Sequence, residues 1–275
     1  MENNSAQGRS VGRALRVLEL LAPERRGLRV TDIANSLGLN KAIVFRVLQD
    51  LKSNGYVDQD ESNQRYFATF RLAAIGLRKL ETGNLTQWAQ EPLDRLAATT
   101  GELVRLAVAE NDSLHWIAKA QGANSGLIVD PVAGKGVVLH ATATGKAWLA
   151  SLDDERVRTV LEKGGFVKRT ENTITDVAVL LEELAKVRAT GVALTFEEMD
   201  PGISAIAAPI VLPGTNGPAV GTVSVAGPAT RLRPEILEAF APEVKHTATE
   251  LASRWSVYEH SPIGPFSVDE GGWSG

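Results

Sequence analysis

Thr31-Asp32-Ile33-Ala34-Asn35-Ser36-Leu37-Gly38-Leu39-Asn40-Lys41-Ala42-Ile43-Val44-Phe45-Arg46-Val47-Leu48 is the stretch that decides the fold of the N-terminal part of this chain. Ile33, Ala34 and Leu37 recur at helical spacing, and Thr31 just before them carries the hydroxyl of an N-cap. Gly38 stops that helix, because glycine enters the left-handed conformation of a tight helix exit without a steric cost. A second helix is predicted from about Lys41 to Asn54, closed by Gly55. Two short helices joined by a Gly-containing turn make a helix-turn-helix.

Reading outward, Val11, Leu15, Leu18 and either Val17 or Leu21 fall on one stripe of an amphipathic first helix, Val11 to Leu21, which Pro23 and Gly27 end. After Gly55, the β-prone pairs Tyr56-Val57 and Tyr66-Phe67 flank a polar segment with Asn63 as a turn residue, the pattern of a hairpin. Helix, helix-turn-helix and hairpin in that order predict a winged helix. Arg71 to Leu80 reads as a connecting helix, with Gly83-Asn84 after it.

Beyond that point strands and helices mix. Leu103 to Ala109 and Leu114 to Ala120 are predicted as adjacent strands turning at Asn111-Asp112. Helices are predicted at Trp88 to Thr100, Gly145 to Ser151, Asp153 to Leu161, Val177 to Thr190 and Pro234 to about Tyr258. Strands are predicted at Val192 to Glu197, Ala205 to Leu212 and Ala219 to Ala226. Three strands so close in sequence suggest an antiparallel sheet in an α+β domain. The expected organisation is a winged helix-turn-helix domain (1–70), a linker helix (71–84), an α/β domain with a mainly antiparallel sheet (85–257) and a flexible tail (258–275), rich in Gly, Pro and Ser.

Composition narrows the function. A chain of 275 residues has room for two domains, and its 44% hydrophobic and 23% charged residues suit a water-soluble protein with a core. No apolar run approaches the roughly 18 residues that span a bilayer, and the first ten residues are too polar for a secretory signal, so no membrane partner and a cytoplasmic location are expected. With no cysteine in the sequence, disulfides, thiolate metal sites and a cysteine nucleophile are excluded. The net charge of −4 conceals a split: residues 1–66 hold ten Lys and Arg against eight Asp and Glu, which leaves about −6 for the remainder.

On the helix from Lys41, the stripe Val44, Leu48 and Leu51 is predicted to face the core. The opposite side then shows Lys41, Ala42, Phe45, Arg46 and Gln49, with Ile43 at the margin, to a DNA major groove. Asn40 and Gln49 have the amides that pair with base edges, and Ile43 or Phe45 has the apolar surface that meets a thymine methyl. Thr31 joins them as a candidate DNA contact. Arg13, Lys52 and the wing residue Arg65 are candidates for phosphate.

Five blocks in a fixed order resemble the IclR family of transcription regulators over about residues 10–256. They include Ser10-Val11-Gly12-Arg13-Ala14-Leu15, the stretch from Leu39 to Leu48, His140-Ala141-Thr142-Ala143-Thr144-Gly145-Lys146-Ala147, Gly202-Ile203-Ser204-Ala205-Ile206-Ala207-Ala208-Pro209 and Val220-Gly221-Thr222-Val223-Ser224-Val225-Ala226-Gly227-Pro228. The resemblance implies a winged helix, a linker helix that helps dimerise and a GAF-like domain for a small-molecule effector. It further implies a homodimer, or a dimer of dimers, on double-stranded operator DNA.

From the residues alone, His140 to Lys146 is a turn feeding a helix that Thr142 or Thr144 can cap, with free amides near Gly145 that favour an acid or acyl group. The resemblance makes Ala143 and Thr144 effector contacts, with Val129 and Val137 as apolar lining and Thr195, Ala205, Ser224 and Ala226 from the sheet. Relatives that bind small keto acids tend to have an acid where this chain has Thr195, cysteine at Ala205 and serine at Ala226. The expected effector is therefore larger or more apolar than pyruvate or glyoxylate, such as an aromatic acid or an acyl derivative.

Two other classes compete with the regulator. An enzyme would use His140 as a base with Glu197, Glu198 or Asp200. However, no nucleophile elbow, phosphate-binding loop, dinucleotide fingerprint or His-x-x-x-His pair is present, and no catalytic residue, metal site or cofactor is expected. A protein-docking winged helix would present an uncharged helix face, which Lys41 and Arg46 disfavour.

Overall fold

The computed structural model describes residues 2–82, 85–129, 136–215 and 217–259. The chain divides into two compact units, Met1–Thr82 and Gly83–Gly275.

In the first unit, helices α1 (Glu2–Leu21), α2 (Val30–Leu37) and α3 (Lys41–Ser53) precede a hairpin of β1 (Val57–Asp60) and β2 (Arg65–Ala68), and α4 (Arg71–Thr82) follows. The core joins Val17, Leu18 and Leu21 of α1, Ile33 and Ala34 of α2, and Val44, Val47, Leu48 and Leu51 of α3 to Val57 and Tyr66 of the hairpin. The predicted α3 stripe is therefore buried, with Val47 added to it. The α1 stripe is buried only in part. Val17, Leu18 and Leu21 are buried, whereas Val11 and Leu15 are 59% and 53% exposed, because only the last two turns of this long helix lie over the core.

A correction concerns Thr31. Helix α2 begins at Val30 with Arg29 as N-cap, and the Arg29 amide donates to Asp32 Oδ2 at 3.2 Å. Asp32, one turn in, meets the orphan amide, so Thr31 sits exposed in the first turn rather than capping it. At the other end Gly38 has φ +63°, and the Gly38 and Leu39 amides donate to the Asn35 and Ala34 carbonyls. This is the left-handed exit that the sequence predicts. In the hairpin, Asp60 pairs across from Arg65, and Asn63 Oδ1 accepts from the Arg65 amide at the turn.

The second unit holds α5 (Leu85–Thr100), β3 (Leu103–Glu110), β4 (Ser113–Gln121), α6 (Ala143–Leu149), α7 (Asp154–Gly164), α8 (Val177–Thr190), β5 (Ala193–Phe196), β6 (Ile203–Ile210), β7 (Gly221–Pro228) and α9 (Pro234–Glu259). The five strands form one sheet in the order β4-β3-β7-β6-β5, antiparallel throughout. The α+β class and the antiparallel sheet expected from the sequence are thus present. Asn111 and Asp112, between β3 and β4, both have positive φ, the backbone of a two-residue hairpin turn. Of the tail expected at 258–275, Tyr258 and Glu259 end α9, and residues 260–275 lie outside the described residues.

Side-chain alternation along the strands gives the sheet two unlike faces. Val104, Leu106, Ile206, Ala208, Val223 and Val225 pack with α5 and α9. The other face carries Ala107, Ala193 and Ala207 against α6, α7 and α8. On that face small side chains let α6 lie close, and all seven of its residues are buried. Gly145 makes the closest approach: a Cβ there would stand 2.2 Å from the Leu139 carbonyl oxygen.

Two glycine substitutions separate backbone strain from steric clash. At Gly38 a Cβ would meet nothing within 4 Å, so Gly38→Ala is expected to cost only the left-handed strain, about 1–2 kcal/mol. Gly145→Ala drives a Cβ into backbone and is expected to be far more destabilising. Chemical denaturation of both variants measures the difference.

Candidate functional site

Two surfaces carry the chemistry, one in each unit. In the first, Lys41, Ala42, Phe45, Arg46 and Gln49 are exposed on α3 and Ile43 is half-buried at the edge, as the pattern predicts. Phe45 is 51% exposed. Several polar groups in this unit already have internal partners. Asn40 is the N-cap of α3, its Oδ1 accepting from the Ala42 amide at 2.8 Å. Only its amide N–H groups remain to meet a base edge. Gln49 Nε2 donates to the Tyr66 hydroxyl at 3.3 Å, which ties the exposed face of α3 to β2. Arg65 is half-buried and donates to the Gly27 carbonyl at 2.9 Å, while Lys52 pairs with Asp58 at 3.4 Å. Arg13 is half-buried on α1 and Thr31 exposed on α2. The sequence reading passed over Arg25, Arg26 and Arg29, which are exposed before α2. The signal was the Arg25-Arg26 dipeptide, read only as a loop.

The second surface is a cavity of about 210 Å³ on the small-residue face of the sheet. The start of α6 supplies Thr142, Ala143 and Thr144, the sheet supplies Thr195, Ala205 and Ala226, and the segments before α6 supply Val129, Gly136 and Val138. Thr142 is the cap, its Oγ1 accepting from the Gly145 amide at 3.0 Å. Thr144 lies inside the helix, so of the two possible caps the first is used.

Four expected pocket residues stand elsewhere. Val137 and His140 line a neighbouring cavity of about 340 Å³, which shares Gly136 and Val138 with the first. Gly145 packs on the Leu139 carbonyl and faces neither. Ser224 pairs with Arg105 across the β3–β7 ladder, is buried and does not line the cavity, and its Oγ takes no hydrogen bond among the described residues. His140 is structural in character: one ring nitrogen lies 3.0 Å from the Val167 carbonyl and its ring centroid 4.5 Å from that of Phe166. Burial holds its pKa below the ordinary histidine value.

The residues missed are the most informative. Arg105, Trp116, Arg169, Met199, Asp200 and Ile203 also line the first cavity. The Arg105 guanidinium carbon sits 3.8 Å from the centre of the Trp116 ring, a cation–π stack. Arg169 is exposed. A charged residue inside the apolar run Leu103 to Ala109 was the available signal for Arg105, since its alternation puts it on the face with Ala107.

A buried ion pair joins the pocket's two sides. Lys146, 1% exposed on α6, donates from Nζ to Glu198 Oε1 at 2.6 Å. Thr173 and Thr170 donate their hydroxyls to the Glu198 carbonyl, at 2.7 and 3.2 Å. The segment carrying Met199 and Asp200 is thereby fixed against the helix carrying Thr142 to Thr144. Desolvation pushes the Glu198 carboxyl above the usual range, and the Lys146 charge opposes that shift.

Fold and site together define a two-unit protein: a winged-helix DNA-binding module and a second unit with a cavity on the small-residue face of its sheet. The chain belongs to the IclR family of transcription regulators. Residues 10–61 match the IclR helix-turn-helix domain and residues 77–253 the C-terminal domain of bacterial IclR regulators. It is 32% identical over 244 residues to the transcriptional regulator BhcR of Paracoccus denitrificans, covering 89% of this chain and 86% of that one. The crystal structure of an IclR regulator from Alicyclobacillus acidocaldarius superposes with a TM-score of 0.77 at 29% identity, over 89% of this chain and 98% of that one. The inducer-binding domain of the PobR transcription factor from Acinetobacter, a double mutant in complex with 3-hydroxybenzoic acid, matches 61% of this chain and 97% of its own at 29% identity, with a TM-score of 0.54.

The buried pair yields a test. Lys146→Met leaves the Glu198 carboxylate enclosed without its cation and is expected to cost about 3–5 kcal/mol, whereas Lys146→Met with Glu198→Leu restores most of the loss. Urea denaturation of the single and double variants reads this coupling.

Proposed function

We propose that the second unit senses a small aromatic carboxylate and that its binding alters the affinity of the winged helix for operator DNA. One observation carries the choice of effector: the Arg105 guanidinium stacked on Trp116 in a cavity of about 210 Å³. The stack lays the face of the guanidinium over the indole, and a planar guanidinium has the fork geometry that meets a carboxylate with two parallel hydrogen bonds. Arg169 adds a second positive charge, and Val129, Val138, Ile203 and Met199 give the apolar walls that a ring needs. Thr195, Ala205 and Ala226 keep the floor small and uncharged. The volume lies below the roughly 300 Å³ at which pockets for drug-sized ligands begin, which fits one substituted ring. The 3-hydroxybenzoic acid held by the related PobR domain belongs to this chemical class.

DNA recognition is assigned to α3, with Arg46 and Lys41 as the charged contacts and Ala42 and Phe45 beside them. Arg25, Arg26 and Arg29 join Arg13 as phosphate contacts. The exposed Val11 and Leu15 of α1, and Leu72, Ile75 and Leu77 of α4, are apolar surface on helices of the first unit. They support a homodimer reading a two-fold operator.

Isothermal titration with benzoate, 3-hydroxybenzoate, 4-hydroxybenzoate, phenol, pyruvate and glyoxylate tests the effector class. One or more benzoates are expected to bind and phenol, which lacks the carboxylate, is not. Arg105→Leu is expected to weaken that binding by about ten- to a hundredfold, the value of a charge-assisted hydrogen-bond pair. Binding confined to the two- and three-carbon acids, or unaffected by Arg105→Leu, contradicts the proposal.

A further inference from the structure

The hairpin of a winged helix is a natural place for cations, because it lies beside the helix that enters the groove and within reach of phosphate. In this chain the hairpin carries the opposite charge. Between Val57 and Ala68 stand Asp58, Asp60 and Glu61 against one cation, Arg65. That cation turns inward: its Nη1 donates to the Gly27 carbonyl. Asp60 lies directly across the ladder from Arg65 and shares that face of the hairpin with Asp58. Asp58 has a side chain 57% exposed and Glu61 is exposed at the tip. Asp60 organises the turn, its Oδ1 accepting from the Ser62 amide at 2.9 Å and the Ser62 hydroxyl at 2.6 Å.

Both aspartates stay ionised. The Gln59 amide and Lys52 hold Asp58 below the usual carboxylate range, and the Ser62 hydroxyl and amide do the same for Asp60. The placement beside α3 is fixed from two sides, by Gln49 on the Tyr66 hydroxyl and by Lys52 on Asp58. The second contact also draws Lys52, a cation of α3, toward the hairpin and away from phosphate.

We propose that the hairpin of this protein is an electrostatic brake, an acidic surface that repels the phosphate backbone and lowers affinity for nonspecific DNA. The basic contacts of α1, the turn before α2 and α3 attract every duplex alike, and nonspecific affinity rises with each. A negative surface within a Debye length of the backbone, about 8 Å at physiological salt, subtracts from that attraction without touching base readout. Discrimination then rests more heavily on the base contacts of α3. The inference rests on DNA binding by this unit and is independent of the effector.

The test is fluorescence anisotropy of the full chain with a short duplex of shuffled sequence over a salt series. Glu61→Gln together with Asp60→Asn is expected to tighten binding at low salt by roughly threefold or more and to steepen the salt dependence. Glu61→Lys, at an exposed tip position outside the Asp60 hydrogen bonds, is expected to act in the same direction and stronger, with an unchanged Tm. Arg65→Ala is expected to lower the Tm through the lost Gly27 contact and, by leaving the hairpin more negative, to weaken nonspecific binding further. Neutralised acids that leave nonspecific affinity unchanged, or an Arg65→Ala variant that binds nonspecific DNA more tightly, overturn the proposal. Wild-type binding at low salt in the same series shows separately that the unit engages DNA.

Discussion

The pocket exists because one face of the five-stranded sheet is built from small side chains. Strand alternation gives Val104, Leu106, Ile206, Val223 and Val225 to the α5–α9 side, where they fill the layer. Their neighbours Ala107, Ala205, Ala207, Ser224 and Ala226 turn to the other side. Small residues there admit α6 so closely that position 145 tolerates no Cβ, and they leave open the space beyond the helix's first turn. Close packing alone would let that space collapse. A buried ion pair and a stacked arginine resist it. Lys146, carried inside by the buried helix, has to be neutralised, and Glu198 meets it on the segment that forms the opposite wall. Arg105, on the small-residue face itself, is held by Trp116 from the adjacent strand.

The same economy of partners shapes the first unit. Its core is small and closed, and the amides and guanidinium groups around α3 divide into those that hold the domain and those left for a ligand. Asn40 caps, Arg65 braces the Gly27 turn and Gln49 ties α3 to β2. Lys41 and Arg46 are exposed and enter no ion pair among the described residues. A residue spent on folding is a poor reader of bases, because moving it to DNA forfeits the bond that it already makes.

Most of the architecture was legible in the sequence, since it rests on periodicity and on local turn chemistry. The α3 stripe, the Gly38 exit, the Asn111-Asp112 turn and the cap at Thr142 all follow from residues within a few positions of one another. Thr31 was misplaced because the acid three residues beyond Arg29, rather than a hydroxyl, caps α2. Val11 and Leu15 share the apolar stripe of α1 yet stand exposed, because amphipathicity shows which face is apolar but not how far the core extends. The pocket was half legible. Its floor at Ala143, Thr144, Thr195, Ala205 and Ala226 came from the family resemblance, while Arg105, Trp116, Arg169 and Met199 did not, because strands and loops distant in sequence bring them together. Val137 was displaced by its neighbour Val138, as a one-residue step along an irregular segment exchanges one cavity for the other.

The central claim is that ligand occupancy of this pocket controls the affinity of α3 for a specific DNA sequence. It is tested most directly by anisotropy of the full chain with DNA from upstream of its own gene, in excess nonspecific competitor, with and without the benzoate that binds in calorimetry. The account predicts specific binding that shifts several-fold on adding the acid, with no shift in Arg105→Leu. Binding that ignores the acid while calorimetry shows the pocket filled, or a shift that persists in Arg105→Leu, would contradict it.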